Sequence, residues 1–168
     1  MGSADEIPLA VPDGLAGIMA TYGDPGYRPP GTVDIAWEAA NMVTVRDLPL
    51  VGHKLYIHRL VAEPLRRALA RCADAAESYQ IHTIGCFAPR AMRGTNGLLL
   101  STHTWGIAVD INPDQNKLVA PCEVDDPRRS GYDIPDEWIK AFVAEGWVWG
   151  GAFKHRFDPM HFQLASGY

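Results

Sequence analysis

STHTWGIAVDIN, residues 101–112, changes character at its glycine. After Gly106, the aliphatic Ile107, Val109 and Ile111 alternate with Ala108, Asp110 and Asn112, the period-2 pattern of a half-buried strand. Asp110 then stands on the face opposite the aliphatic side chains, with only the small Ala108 beside it. His103 precedes the strand in a segment that turns at Gly106, so its imidazole and the Asp110 carboxylate can converge on one ion. A second stretch, DPMHF at residues 158–162, places His161 at the head of the short apolar run HFQL, where a neighbouring strand could deliver it to the same point. Two imidazoles and one carboxylate are the ligand set of a catalytic zinc that keeps its fourth position open. Asp158 is left over, close enough to His161 to act as the general base that a zinc-activated water needs.

Each segment taken singly has a plainer reading. A lone His is usually a surface or hydrogen-bonded core residue, and an Asp ahead of Asn-Pro is usually a turn residue. Both segments together, set among aromatics and glycines, favour the metal. The two-His-one-carboxylate triad of non-heme iron oxygenases is the chemical rival. Its His and acid usually lie next but one to each other on one strand, a much closer spacing than that of His103 and Asp110, and oxygen chemistry has no task for Asp158.

The pattern S-x-H-x-x-G-x-A-x-D followed by D-x-x-H-F resembles the zinc DD-peptidase family, which includes D-alanyl-D-alanine carboxypeptidases, dipeptidases and phage endolysin peptidases. The flanking CFAPRAMRG and GWVWGG resemble the phage and prophage branch, and the likeness runs from about Asn41 to Leu164. It implies one zinc per chain on His103, Asp110 and His161, with Asp158 as general base and with Ser101 and Arg90 contacting substrate. It also implies the hedgehog-like zinc DD-peptidase fold. The implied substrate is a peptidoglycan stem peptide, cut at either the D-Ala–D-Ala or the L-Ala–D-Glu bond. Where this branch would carry an acid after His-Phe, the chain has Gln163. A virion structural or wall-binding module that keeps zinc only for stability is the alternative, and it would have no use for Asp158.

A length of 168 residues suits one domain with a substantial core. The net charge of −5 argues against a nucleic-acid partner, and no apolar run is long enough to span a membrane. A monomer is expected. Arg66-Arg67 and Arg128-Arg129 read as solvated surface. Cys72, Cys86 and Cys122 form no CxxC pair and read as buried thiols rather than nucleophiles or zinc ligands. The first residues lack the basic start and apolar run of a secretory signal, and Glu6 stands where a myristoylation motif needs Ser or Thr. The expectation is a protein made in a host cytoplasm that reaches the wall on lysis or from the virion.

The predicted class is α+β, a small, largely antiparallel sheet with helices packed on one side. Residues 1–40 read as a Pro/Gly-rich arm with one short helix, its Tyr22, Tyr27 and Trp37 packed on the body, and residues 41–168 as the catalytic domain. Strands are expected at Met42–Val45, Lys54–Ile57, Ile81–Phe87, Trp147–Trp149 and Pro159–Leu164. One helix is expected over Val61–Ser78, with Leu65, Leu69, Cys72, Ala73 and Ala76 inward and Pro64 in its first turn. A surface loop fills 113–134, and a second helix begins at Ile134-Pro135-Asp136 with Trp138, Phe142 and Val143 inward. His53, His58 and His82 read as structural or surface residues. His155 could line the cleft rim, and Trp105 is expected to wall the site. Arg93 rivals Arg90 as the substrate-binding arginine, and Glu145 is the next candidate base after Asp158.

Overall fold

The computed structural model describes residues 10–75 and 78–168; Glu6 and Ala76, which figured in the sequence reading, lie outside them. Four antiparallel strands form the central sheet: β3 (Ile84–Gly85), β4 (Ala108–Ile111), β6 (His161–Gln163) and β5 (Val148–Trp149), in that spatial order. β1 (Met42–Val45) and β2 (Leu55–His58) pair antiparallel as a separate sheet, so the expected single sheet is two. The helices are α1 (Gly14–Tyr22), α2 (Ile35–Asn41), α3 (Ala62–Asp74) and α4 (Asp136–Ala144). The class is therefore mixed helix and strand with small antiparallel sheets.

Alternation along β4 gives the sheet two unlike faces. Val109 pairs with Phe162 across the ladder, and Asp110 pairs with His161. Side chains of cross-strand partners point the same way. Ile107, Val109, Ile111 and Phe162 are buried on one face, and Phe162 stacks on Phe142 of α4 with ring centroids 4.3 Å apart. Asp110, His161 and Gln163 occupy the other. α3 packs on α4 through Leu65, Ala68, Leu69 and Cys72, each burial being worth up to about 1.5–3 kcal/mol for the larger side chains. Two inward assignments fail: Ala73 and Val143 are exposed, while Ala68 and Ala141 are buried.

The strand expected over Ile81–Phe87 shrinks to Ile84–Gly85 because its backbone groups are claimed elsewhere. Asn112 Oδ1 accepts from the N–H groups of His82 (2.8 Å) and Thr83 (3.1 Å), and Asn112 Nδ2 donates to Gln80 O at 2.7 Å. Beyond Gly85, the Cys86 carbonyl is taken by His103. Each group so used is lost to the ladder.

The N-terminal segment holds two helices rather than one, and side chains tie it to the body. Tyr22 Oη donates to Leu164 O (2.8 Å), Trp37 Nε1 to Tyr22 O (2.9 Å) and Trp105 Nε1 to Gly23 O (2.9 Å). Tyr22 and Trp37 are buried and Tyr27 is half-buried. His53 and His82 are exposed, but His58 is fully buried, edge-on to Tyr22 at 5.0 Å between centroids, and its Nδ1 accepts from Leu60 N. Burial pushes the His58 pKa down from 6.5 to about 4.

The sign of the consequence follows from linkage. Between pH 6.5 and about 4 the unfolded chain binds a proton at residue 58 that the folded chain refuses, so acidification favours unfolding. A gap of that size costs about 3 kcal/mol once the pH is below 4. Melting curves of the wild type should therefore lose stability over this range, and His58→Asn, which keeps an acceptor for Leu60 N, should show a flatter acid limb. Parallel limbs in the two proteins would show that other groups set the acid response.

Candidate metal centre and cleft

β4 and β6 carry the two ligands that face one another in register, Asp110 and His161. His103 arrives from the 3-10 turn Thr102–Trp105 immediately before Gly106. Gly106 has φ +65°, and a Cβ there would lie 2.6 Å from Met42 Cε and 3.0 Å from His58 N, so this reversal requires glycine. Gly150 serves the other side of the centre. A Cβ on it would collide with Asp158 O and sit 3.0 Å from the Cβ of His161, so the backbone can approach DPMHF closely only without a side chain.

Three potential ligand atoms converge. His103 Nε2 lies 3.1 Å from Asp110 Oδ2, His161 Nδ1 lies 3.0 Å from Asp110 Oδ1, and the two ring nitrogens are 3.2 Å apart. The opposite nitrogens fix the tautomers. His103 Nδ1 lies 2.6 Å from Cys86 O, which can only accept, so that nitrogen carries the proton. Gln163 Nε2 donates to Ala165 O at 3.0 Å, which turns its Oε1 toward Thr102 Oγ1 (3.1 Å) and His161 Nε2 (2.9 Å). His161 Nε2 is then the protonated nitrogen as well. Two imidazole lone pairs and a carboxylate are left facing inward at hydrogen-bond distance, an arrangement that calls for a cation. The electrostatics agree. Burial opposes charging of His161, but the Asp110 contact and the nearby Asp158 outweigh it and raise its pKa. Burial likewise works against the Asp110 carboxylate, yet its two imidazole partners, when they carry an added proton on the inward nitrogens, hold its pKa well below the usual range, so the centre favours positive charge. His103, Asp110 and His161 could thus hold a metal ion, with Gln163, Thr102 and Cys86 O orienting the rings.

Asp158 lies beside this centre and is only 6% exposed. Its Oδ1 is buried with no hydrogen-bond partner among the described residues, and its Oδ2 has one long contact, from Arg156 Nη2 at 3.4 Å. Burial raises its pKa, and the negative Asp110 adds to the effect. Asp158 and Asp110 line one hollow of about 370 Å³ together with Arg90, Arg93, Ser101 and Arg156. Across the centre, His161, Gln163 and Ser101 border a more apolar hollow of about 520 Å³, walled by Phe153, Val148 and Tyr168. Of the candidate ligands, Asp110 thus borders the polar hollow and His161 the apolar one, with His103 buried behind them.

The remaining candidates sort clearly. Arg90 is half-buried, with its backbone held at both ends: its N–H donates to Thr104 Oγ1 and its carbonyl accepts from Thr104 Oγ1 and Ser101 N, all at 3.0 Å. Arg93 is exposed at the rim of the polar lobe, and exposed His155 borders the apolar one, 3.2 Å from Glu123. Trp105 does not wall the site. It is fully buried, with its indole directed at Gly23, because the turn that exposes His103 sends the next aromatic into the core. Glu145 is no candidate base, being held by Arg67 at 2.7 Å and Arg71 at 2.6 Å beyond the end of α4. Burial pushes the thiols of Cys72, to about 12, and Cys86 upward, in keeping with inert packing.

Two arginines that the sequence did not single out help to shape the cleft. Arg156 lines both lobes. Arg129 is not solvated surface: its guanidinium lies within hydrogen-bond distance of the carbonyls of Glu123, Cys122, Gly151, Phe153, Lys154 and Arg156, which share its five N–H donors, and it lies 5.6 Å over the Phe157 ring. This clamp shapes the 151–157 segment, and nothing in the Arg128-Arg129 pair distinguishes a clamp from a surface charge.

The family model of the D-alanyl-D-alanine carboxypeptidases matches residues 93–164. This match supports that peptidase family over a segment that contains His103, Asp110, Asp158 and His161, though it spans under half of the chain and begins after Arg90. No curated protein and no solved structure matched the chain.

If Gln163 sets the His161 tautomer, Gln163→Ala should leave the fold intact and weaken metal binding about 10–100-fold in chelator competition, the usual cost of losing such a partner. His103→Ala, Asp110→Ala and His161→Ala should each lose the metal outright. Unchanged affinity in Gln163→Ala would show that Thr102 alone orients the ring.

Proposed function

We propose that the protein is a zinc-dependent peptidase that hydrolyses stem peptides of bacterial peptidoglycan, as a D-Ala–D-Ala carboxypeptidase or an L-Ala–D-Glu endopeptidase. In this reading residues 41–168 are the catalytic domain, of the hedgehog-like zinc DD-peptidase fold, with residues 1–40 as an arm against it. The likeness of CFAPRAMRG and GWVWGG to phage sequences favours an endolysin or virion-associated lysin. The observation that carries the reading is Asp158: a buried carboxylate with an unpartnered oxygen and a raised pKa, facing the same hollow as the ligand Asp110. A module that kept metal for stability alone would gain nothing from burying such a group.

A bound zinc would supply the Lewis acid that lowers the pKa of a water and polarises the scissile carbonyl. Asp158 accepts the water proton at its free oxygen as the water oxygen bonds to the carbonyl carbon. The same carboxyl returns that proton to the amide nitrogen as the C–N bond breaks, which leaves a carboxylic acid and an amine; the acid's proton then passes to the amine, giving carboxylate and ammonium. Arg90, with its backbone fixed by Thr104 and Ser101, offers a guanidinium fork to the developing oxyanion or to a substrate carboxylate. Ser101, which borders both lobes, is placed to bond the substrate backbone.

Purified protein incubated with peptidoglycan should release peptide fragments, chelator should stop the reaction, and the fragment masses identify the bond cut. Asp158→Asn should keep its metal and its fold and lose activity ~10²–10⁴-fold, the usual contribution of a positioned base. Full turnover in that variant, or no release by metal-loaded wild type, would sink the reading. Arg90→Lys keeps the charge and loses the fork, so kcat/KM should fall markedly with metal content unchanged, and by more than in Arg93→Lys.

A further inference from the structure

Beyond the polar lobe lies a third hollow of about 460 Å³, lined by Arg93, His155 and Arg156 with Leu118, Ala120 and Pro121. It shares Arg93, Leu118 and Arg156 with the lobe that holds Asp110 and Asp158, so the two are adjacent. None of its described lining residues is a carboxylate. In a chain of net charge −5 this is a local reversal of sign. Glu123 is the nearby acid, and it meets His155 at the exposed rim.

Arg156 has donor capacity that the protein does not use. A guanidinium offers five N–H donors. Here Nη2 makes one long contact, 3.4 Å to Asp158 Oδ2, and Nε is buried without an acceptor among the described residues. A buried donor left unmatched is costly unless a ligand supplies the acceptor. The segment that carries it is not loose, because Arg129 holds the carbonyls of Gly151, Phe153, Lys154 and Arg156.

We propose that the hollow formed by Arg93, His155 and Arg156 is a carboxylate-binding subsite beside the metal centre, anchored by Arg156, and that it selects substrates bearing a negative charge next to the cleaved bond. The proposal rests on the peptidase reading for the identity of its ligand. The carboxylate could be the free C-terminus of the peptide or the α-carboxylate of its γ-linked D-Glu. Both offer the two oxygens that a guanidinium fork fits.

The tripeptide γ-D-Glu–L-Lys–D-Ala contains neither candidate scissile bond and carries both carboxylates, so it serves as an uncleaved probe. Binding to the zinc-loaded full chain is measured by calorimetry for the diacid and for forms amidated at either position. The wild type should bind the diacid roughly 10–100-fold tighter than one of the amides, the span expected for a charge-assisted hydrogen bond. The sensitive position identifies which carboxylate is held. Arg156→Gln should abolish the discrimination with metal content and melting temperature unchanged, and Arg156→Lys should restore part of it. Ala120→Glu places a negative charge in the hollow without touching Arg156, and it too should abolish the preference. Equal discrimination in wild type and Arg156→Gln, or none in the wild type, overturns the subsite. Failure to release fragments from peptidoglycan would instead overturn the peptidase reading, and the binding comparison would still decide the subsite.

Discussion

A carbonyl oxygen cannot donate, so the 2.6 Å contact from Cys86 O to His103 Nδ1 commits that nitrogen to carrying the proton. Gln163, oriented by Ala165 O, makes the same commitment for His161 Nε2. Both rings must then turn their lone pairs inward, onto each other and onto Asp110. Without a cation this is electrostatic repulsion held in place by the fold. With one it becomes a coordination site prepared in advance, whose assembly cost is met by folding rather than by binding. Much of the local architecture follows from sustaining it: β3 ends early so that Cys86 O is available, Gly106 permits the reversal that presents His103, and Gly150 lets the Asp158–His161 backbone approach.

Features with a fixed period or a steric requirement were legible in the sequence. Alternation along Ile107–Ile111 separated the core face from the ligand face, and Gly106 marked the turn that brings His103 back. The helical spacing of Leu65, Leu69 and Cys72 located α3, and the Trp138–Phe142 pair located α4. The errors fall where a neighbour decides. Ala73 and Val143 lie at the edge of an apolar stripe, where periodicity allows either outcome and the partner helix selects one. The 81–87 strand was curtailed by Asn112, whose side chain competes with the ladder for backbone donors. Trp105 looked like a site wall because it is adjacent to His103 in sequence, but successive residues of a tight turn point in different directions.

Arg129 and Arg156 show a different limit. A guanidinium at the surface and one surrounded by carbonyls have the same sequence signature, and only the path of the chain around them distinguishes the two. Arg129 gathers backbone carbonyls from two loops, residues 122–123 and 151–156, whose backbones also meet through Cys122 N to His155 O and the antiparallel Val119–Phe157 bridge. The side chain thereby adds to these few backbone hydrogen bonds, and Phe153, His155 and Arg156 of the same segment line the cleft.

The division of one short strand into two faces also sets how the site and the core depend on each other. Val109 and Asp110 are neighbours in sequence, and their partners Phe162 and His161 are neighbours on the facing strand. The Phe162–Phe142 stack fixes one face of β6 against α4, and the same backbone carries His161 and Gln163 on the other. Because the ligand atoms sit within 4.8 Å of one another, small shifts in that backbone are large on the scale of the site. Core packing at Phe142 thus belongs to the metal centre as surely as Gln163 does, acting through backbone placement where Gln163 acts through a hydrogen bond. The sheet transmits the first effect in every protonation and metal state, whereas the second requires an amide oxygen at residue 163 to hold the His161 proton in place.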